Sequence, residues 1–360
     1  VTPPLIVIGA GGTAGHVVPA LAVADALRAE GAEVIFVGGE RAERSLVPSA
    51  GYELRALRIA PLTRRSLTGM ARAGAIDAAA VRDARRLLRE VRPAAVLGAG
   101  GYAAGPVGLA AAAMRIPLVL MEADSHLGLT NRMLAPVARR VCLSFPIDGR
   151  DGGRYLLTGR PVPEPVTDRD GARARFGIGE EEQCVLVFGG SQGARSINNA
   201  AIEAFAGARF RVIHAAGERD LPDLSPPGSH YDLRGYISDF GQALAASDLV
   251  VARSGGSVFE VAAYGRPMVL IPYPYATADH QTENARYMER AGAAIVIADA
   301  ELTPPRLAQE VGRLLADHGR LGAMARASAG LARPDAAGEI AREVVTAGGV
   351  TAARGAAGGQ

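Results

Sequence analysis

His16 is the first residue with chemistry to offer, and it comes straight out of a glycine loop. Leu5 to Ala20 reads LIVIGAGGTAGHVVPA: an apolar strand-like run, a run of glycines, then Thr13, Ala14, Gly15 and His16 opening a helix that carries Pro19. A strand that turns this sharply into a helix leaves free backbone N–H groups at the helix start, and those groups bind phosphate or other anions. An imidazole in the first helical turn faces whatever the loop holds and titrates near neutral pH, as a general base must. Two other readings stay open on these residues alone. Gly9-Ala10-Gly11-Gly12-Thr13-Ala14 fits the loose dinucleotide fingerprint, with Glu40 near the place of a ribose-binding acid, the mark of a nicotinamide enzyme. A histidine in this place can also simply cap or pack.

Further constellations follow the same plan. Gly98-Ala99-Gly100-Gly101-Tyr102 follows a strand and precedes a helix opened by Gly105 and Pro106; its glycines can serve packing alone, or mark a surface that a ligand approaches closely, with Gly100, Gly101 and Tyr102 the expected acceptor-side residues. Glu122, Asp124 and His126 cluster at the end of another strand. Gly189 to Ala194 (GGSQGA) opens a second anion-binding helix start, where the Ser191 hydroxyl, beside Gln192 and Gly193, suits a pyrophosphate. Arg253 to Glu260 (RSGGSVFE) places Ser254 and Gly255 in a turn and Glu260 one or two turns into a helix, where a carboxylate can accept both hydroxyls of a ribose. Asp279 to Asn284 (DHQTEN) puts Gln281 and Asn284, three apart, on one helical face with donors and acceptors for sugar hydroxyls. Asp168-Arg169-Asp170 has the D-x-D form but reads as a helix start, and no histidine or cysteine pair has zinc spacing.

The elements that must hold these residues alternate. Strand-like runs at Glu33–Val37, Ala94–Gly98, Leu118–Met121 and Val141–Phe145 are separated by helix candidates at Val17–Glu30, Ala71–Val91, Pro106–Met114 and Thr130–Ala138. This is the pattern of a parallel sheet with helices on both faces. Gly159 to Asp170 (GRPVPEPVTDRD) breaks the pattern with three prolines and reads as a linker. A second series follows, with runs at Cys184–Phe188, Arg211–Ala215, Leu249–Ala252, Met268–Ile271 and Ala294–Ile297. The expected fold is therefore α/β, two Rossmann-like parallel-sheet domains whose strand C-termini face each other across a cleft, over residues 1–160 and 161–334. A last helix over 335–347 is free to pack back on the first domain, and the glycine- and alanine-rich 348–360 has too little apolar bulk to pack and reads as a disordered tail.

Composition sets the outer limits. A chain of 360 residues exceeds what one hydrophobic core usually serves. All 39 basic residues are arginine, and the net charge of +2 is too balanced for a dedicated nucleic-acid binder. Cys142 and Cys184 lie in or beside apolar runs and read as buried thiols of a reducing compartment. The N-terminal apolar run reads as a strand rather than a signal core, and no run approaches the roughly 20 apolar residues of a membrane span, so a cytoplasmic protein is expected. Leu62–Met70 (LTRRSLTGM), followed by Arg72, Arg82, Arg85, Arg86 and Arg89, sets apolar residues beside cations, the composition of a segment seated on anionic lipid.

Taken together, GAGGTAGHVVPALAVADAL, GAGGY with GPVGLAA, GLTNRMLAPVA, VFGGSQGARSIN, GYISDF, ARSGGSVFEVAAYGRPMVLIPYP and DHQTENA resemble, in order, the signature blocks of the MurG family. The resemblance spans roughly residues 5 to 300. It implies a GT-B glycosyltransferase fold and transfer of N-acetylglucosamine from its UDP donor to the 4-hydroxyl of a lipid-linked muramyl-pentapeptide, with inversion and with no cofactor or metal. By resemblance, Ser191 lies near the pyrophosphate, the Ile237 main chain near uracil, Glu260 on the ribose and Gln281 on the sugar. Thr13, Ala14 and Gly15 face the transferring group, and His16 takes the acceptor proton with Glu122 or Asp124 positioning it. The implied partners are UDP-N-acetylglucosamine, undecaprenyl-pyrophosphoryl-muramyl-pentapeptide, the inner membrane surface and other cell-wall synthesis proteins, with no nucleic acid. Asp124 stands where the family usually has asparagine. Arg160-Pro161-Val162-Pro163 loses an arginine from its usual place, for which Arg160 is the substitute, and Ala14 stands where glycine is commoner. A same-fold transferase with another acceptor, and a non-catalytic UDP-sugar binder, are the alternatives these departures allow.

Overall fold

The computed structural model describes residues 3–57, 67–190, 193–276 and 279–349, with side chains described from residue 78 onward in the helix that begins at Leu67. The chain divides into two compact units, Val1–Val162 with Arg333–Gln360, and Pro163–Ala332.

The first unit alternates β1 (Leu5–Gly9), α1 (Ala14–Ala29), β2 (Glu33–Gly38), α2 (Ala42–Ser49), β3 (Glu53–Ala56), α3 (Leu67–Val91), β4 (Ala95–Gly98), α4 (Gly101–Ala113), β5 (Leu118–Glu122), α5 (Leu129–Leu134), β6 (Arg140–Leu143) and β7 (Tyr155–Leu157). Among the described residues its strands form one parallel sheet in the order β3-β2-β1-β4-β5-β6-β7. Side chains alternate across a strand, so Ile6 and Ile8 pack into one core with Phe36 and Leu97 while Val7 packs into another with Val37 and Val96. Both faces are covered, which is why these strands read as unbroken apolar runs.

The second unit holds α6 (Arg169–Arg175), β8 (Cys184–Phe188), α7 (Arg195–Ala204), β9 (Arg211–Ala215), β10 (Tyr231–Arg234), α8 (Phe240–Ala246), β11 (Leu249–Ala252), α9 (Val258–Ala263), β12 (Met268–Leu270), α10 (His280–Arg290), β13 (Ala294–Val296), α11 (Pro304–Ala316) and α12 (His318–Leu331). Its parallel sheet runs β10-β9-β8-β11-β12-β13, and Val185, Val187, Val251 and Val269 meet Ile197 of α7 and Leu307 of α11 in its core. Asp168 caps α6, its carboxylate accepting the Gly171 N–H at 2.9 Å, which is the helix-start role read from the sequence.

The chain then returns to the first unit. In α13 (Ala336–Ala347), Ile340, Ala341 and Val344 join the core of α1, and Arg140 Nε bonds Glu343 at 2.8 Å. Cys142 and Cys184 are free thiols in the interior of the two sheets. Of the expected tail, residues 350–360 lie outside the described residues, as do Leu62–Ser66 of the lipid-facing segment.

Three strands had no counterpart in the sequence reading: β3, β7 and β10, each at the edge of its sheet. An edge strand is paired on one side only and need not bury both faces, so ELRA, YLL and YDLR carry no sustained apolar run.

Candidate functional site

In the first unit the glycine turns follow β1 and β4, neighbours at the middle of the sheet, at the C-terminal ends where open α/β sheets bind ligands. Thr13 is the N-cap of α1 in an extended conformation, and its side chain makes no capping bond. The helix start therefore keeps donors for a ligand. Thr13 and Gly15 are exposed, Ala14 and His16 half-buried, and the Thr13 hydroxyl lies 3.4 Å from His16 Nδ1. The imidazole lies against the second turn, where a Cβ placed on Gly100 would come within 2.7 Å of His16 Cδ2. Gly101 has φ +73°, and a Cβ there would overlap the Gly11 carbonyl oxygen. Only glycine lets the two loops cross this closely. Arg160 is buried, and its guanidinium donates to the Gly15 carbonyl oxygen, so it braces the first turn of α1 from behind.

Glu122 is 5 % exposed at the end of β5. Its Oε1 accepts from the Asp124 N–H at 3.1 Å, and its Oε2 from the Gly128 N–H and Asn131 Nδ2, both at 2.8 Å. Burial pushes its pKa up, against the pull of these three donors. The sequence reading set Asp124 or Glu122 to position His16. The geometry gives Glu122 a different task, since each of these bonds stays within residues 122–131, and the carboxylate shapes the loop on which half-buried Asp124 stands.

Glu43 was passed over in the sequence, where Glu40 drew attention instead. Glu40 is exposed, whereas Glu43 is wholly buried in the first turn of α2. Its carboxylate accepts from the Gly12 N–H and the Gly39 N–H, both at 2.9 Å, and from the Tyr102 hydroxyl at 2.5 Å. Burial pushes the Glu43 pKa up, but the Tyr102 hydroxyl and the backbone donors outweigh it and hold the carboxyl below its ordinary range. Tyr102 is in turn pushed up to about 12 by burial and by the Glu43 carboxylate. The available signal was helical spacing: Glu43 lies four residues before buried Val47, on the inward face of α2.

In the second unit the glycine turn follows β8. Gly190 and Gly193 have φ +87° and +71°, the Gly193 N–H closes a turn onto the Gly190 carbonyl at 3.0 Å, and a Cβ on Gly193 would overlap the Ala216 carbonyl. Ser191 and Gln192 lie outside the described residues. Ile237 buries its side chain, leaving its backbone as what it can offer a ligand. Glu260 is half-buried in the first turn of α9, and Gln281, half-buried in α10, accepts the Tyr273 N–H at 3.0 Å through Oε1. Gly255 faces the Gln281 amide.

Two donor candidates need correction. Ser254 and Asn284 are fully buried and their side chains bond backbone: the Ser254 hydroxyl donates to the Gln281 carbonyl at 2.7 Å, and Asn284 Nδ2 to the Ser254 carbonyl at 3.0 Å. Helical spacing does put Asn284 near Gln281, but on the inward edge of α10, where it fastens the turn after β11 to the helix.

Two further groups were missed. Arg253 is 7 % exposed and donates to the Ile271 and Pro272 carbonyls, to Asp299 Oδ1 at 2.5 Å and to the Ser196 hydroxyl at 2.8 Å, tying together the chain after β11, β12 and β13 and the start of α7. Behind the glycine turn, Asn198 Nδ2 donates to the Ala216 carbonyl and to Asp220, while the two His214 nitrogens meet Asn198 Oδ1 at 3.0 Å and the Tyr231 hydroxyl at 2.7 Å. Buried residues of this kind have no periodic signature, because their partners are distant in sequence. No cluster of three or more His, Cys, Asp or Glu able to hold a metal occurs among the described residues.

Residues 6–143 match the glycosyltransferase family 28 N-terminal domain and residues 184–340 the C-terminal domain of the same family. The chain is 42 % identical over 348 residues to a UDP-N-acetylglucosamine–N-acetylmuramyl-(pentapeptide) pyrophosphoryl-undecaprenol N-acetylglucosamine transferase of Alkalilimnicola ehrlichii, covering 94 % of this chain and 97 % of that one. It is 40 % identical over 371 residues to the protein of the same name from a Mycobacterium species, covering 99 % and 97 %. Among solved structures it superposes on Acinetobacter baumannii MurG with a TM-score of 0.77 at 28 % identity, covering 96 % of this chain and 100 % of that one. The calicheamicin glycosyltransferase CalG4, at 18 % identity and a TM-score of 0.69 over 99 % of this chain and 100 % of that one, shares the fold.

Proposed function

The chain belongs to glycosyltransferase family 28 and, within it, to the MurG N-acetylglucosaminyltransferases, and from that premise we propose how its residues divide the reaction. The reaction moves N-acetylglucosamine from UDP to the 4-hydroxyl of the lipid-linked N-acetylmuramyl-pentapeptide. The observation that carries this reading is the match to both domains of the family, in order, along one chain.

In the reading proposed here, His16 removes the proton from the acceptor hydroxyl as its oxygen attacks the anomeric carbon. The bond from that carbon to the UDP oxygen breaks, and configuration inverts. Negative charge grows on the departing diphosphate, so fixed backbone donors lower the barrier most where that charge develops. The turn from Gly189 to Ala194, with Ser191, Gln192 and Gly193, takes this task. Support comes from Gly190 and Gly193, whose positive φ suits glycine and which present backbone without side chains. Glu260 accepts the ribose hydroxyls, the Ile237 backbone pairs with uracil, and Gly255 and Gln281 meet the sugar. Thr13, Ala14 and Gly15 meet the transferring group, with Asp124 on the same ligand, while Gly100 and Gly101 line the acceptor. Arg160 serves through Gly15.

The natural acceptor is lipid-linked, and we place the enzyme peripherally on the inner face of the membrane. No described helix is long and apolar enough to cross a bilayer. Leu129, Met133 and Val137, spaced four apart, are 54 %, 62 % and 59 % exposed, with exposed Arg132 and Arg139 beside them and exposed Leu109 on the neighbouring helix α4. Apolar side chains flanked by cations suit an anionic lipid surface.

The test is transfer of labelled N-acetylglucosamine from UDP to a short-chain analogue of the lipid-linked muramyl-pentapeptide, with His16→Ala in parallel. Product from the parent and a large loss in the variant support both the acceptor and the base. Equal rates remove His16 as the base. Donor binding without product moves the chain to another acceptor or out of catalysis.

A further inference from the structure

We propose that Glu43 is the positioning residue for the catalytic imidazole, and that Tyr102 acts through Glu43 rather than on the acceptor. The proposal rests on the transferase reading above.

Glu43 reaches the loops after three strands: Gly12 after β1, Gly39 after β2, and Tyr102 in the first turn of α4, after β4. A buried charge is tolerated only when fully hydrogen-bonded, and here both oxygens are engaged, Oε1 by two donors and Oε2 by one.

The glycines around it make room for this knot. A Cβ on Gly11 would come within 2.9 Å of Glu43 Oε1, and one on Gly38 within 2.9 Å of Glu43 Cγ. On Gly39 it would overlap the Tyr102 hydroxyl. The sequence motif that reads as a ligand loop is therefore also the housing of a buried acid.

His16 stands where the two arms of the knot meet. Along one arm, Glu43 holds Gly12, the residue before the N-cap Thr13, whose carbonyl accepts the His16 N–H at 3.0 Å. Along the other, Glu43 holds Tyr102, which follows Gly100 and Gly101. Gly100 packs on the imidazole, and Gly101 crosses Gly11. The ring is thus flanked by two loops that one carboxylate fixes, and an error of about 1 Å in such a placement costs on the order of a hundredfold in rate. The Tyr102 hydroxyl, donated to Glu43, is already committed to this role.

The experiment uses the full chain with UDP-N-acetylglucosamine and the short-chain acceptor analogue, comparing the parent, Glu43→Gln, Tyr102→Phe and the double variant. Rates are expressed per donor-binding molecule, so that loss of folded protein does not count as loss of catalysis. Expected are a fall in kcat of roughly 30- to 100-fold for Glu43→Gln with donor KM within about twofold, and roughly 3- to 10-fold for Tyr102→Phe with acceptor KM unchanged. The double variant should be no slower than Glu43→Gln alone, since residues acting through one contact are not additive. Parental kcat in Glu43→Gln, a raised acceptor KM in Tyr102→Phe, or multiplying losses in the double variant overturns the proposal. Should Glu43→Gln not fold, Tyr102→Phe decides alone: lower kcat at constant acceptor KM supports it, and any other result overturns it. An inert parent removes the transferase reading and this proposal together, whereas an active parent with unaffected variants removes this proposal only.

Discussion

His16 is the residue on which the proposed chemistry depends, and its replacement by glutamine keeps a polar side chain of similar reach while removing the titrating base. The expected result is a loss in kcat of about 10²- to 10⁴-fold with donor KM little changed. Steady-state kinetics at saturating acceptor check it. His214 makes a contrasting prediction, because burial lowers its pKa from the ordinary 6.5 to about 4. Asn198 spends its amide hydrogens on Ala216 and Asp220, so its oxygen must accept from His214 Nε2, leaving Nδ1 to accept from Tyr231. That places the proton on Nε2 and keeps the ring neutral. The unfolded chain takes up a proton near pH 6.5 and the folded chain only near 4, so stability falls as pH drops through that window. The slope approaches on the order of 1 kcal/mol per pH unit, and His214→Gln should flatten it while lowering stability overall. Urea denaturation at a series of pH values reads both. His16 stands out in the sequence as a candidate because a glycine turn precedes it, but His214 does not, since only the fold brings Asn198 and Tyr231 to its two nitrogens.

At the scale of the elements, the central strands and their glycine turns were readable because burial on both faces leaves continuous apolar runs ending in GG. What the turns do to each other was not. Gly101→Ala puts a Cβ into the Gly11 carbonyl at a backbone φ of +73°, whereas Gly31→Ala has a comparable φ of +82° and nothing within 4 Å of the added atom. The second substitution should cost about 1 kcal/mol from conformation alone, and the first at least about 2 kcal/mol more, with transfer activity lost because the loops that flank His16 are forced apart. Equal denaturation midpoints for the two variants would show that the loops part freely. A related lesson comes from α10. Its spacing put Gln281 and Asn284 on one face, but three residues subtend about 300° of helix, and the 60° that separates the two was enough to leave one half-exposed and the other sealed beneath Ser254.

For the whole molecule, the repeat of one plan in two units made the architecture legible, since each unit follows its own series of strands and glycine turns. To the expected lipid-facing segment the structure adds a second candidate. Sequence pointed to Leu62–Met70 because apolar residues and arginines are adjacent there, and the first part of that segment lies outside the described residues. The structure exposes a different group, Leu129, Met133 and Val137, which sequence hid because GLTNRMLAPVA resembles an ordinary amphipathic helix whose apolar residues all turn inward. Only Leu134, Ala135 and Ala138 do so. An apolar stripe this exposed beside Arg132 and Arg139 should partition to anionic vesicles, with each inserted aliphatic side chain contributing about 1 kcal/mol or more. Met133→Glu with Val137→Glu removes two such contributions and adds charge that anionic lipid repels, so sedimentation with phosphatidylglycerol vesicles should weaken at least about tenfold. Transfer to the short-chain acceptor free in solution should stay within a few-fold of the parent, because none of the residues assigned to donor, base or knot is altered. Raising salt should weaken the parent's vesicle binding by screening Arg132 and Arg139. If the double variant binds vesicles as the parent does, the stripe is not the lipid face. If both binding and soluble-acceptor turnover collapse together, the stripe serves the acceptor rather than the membrane.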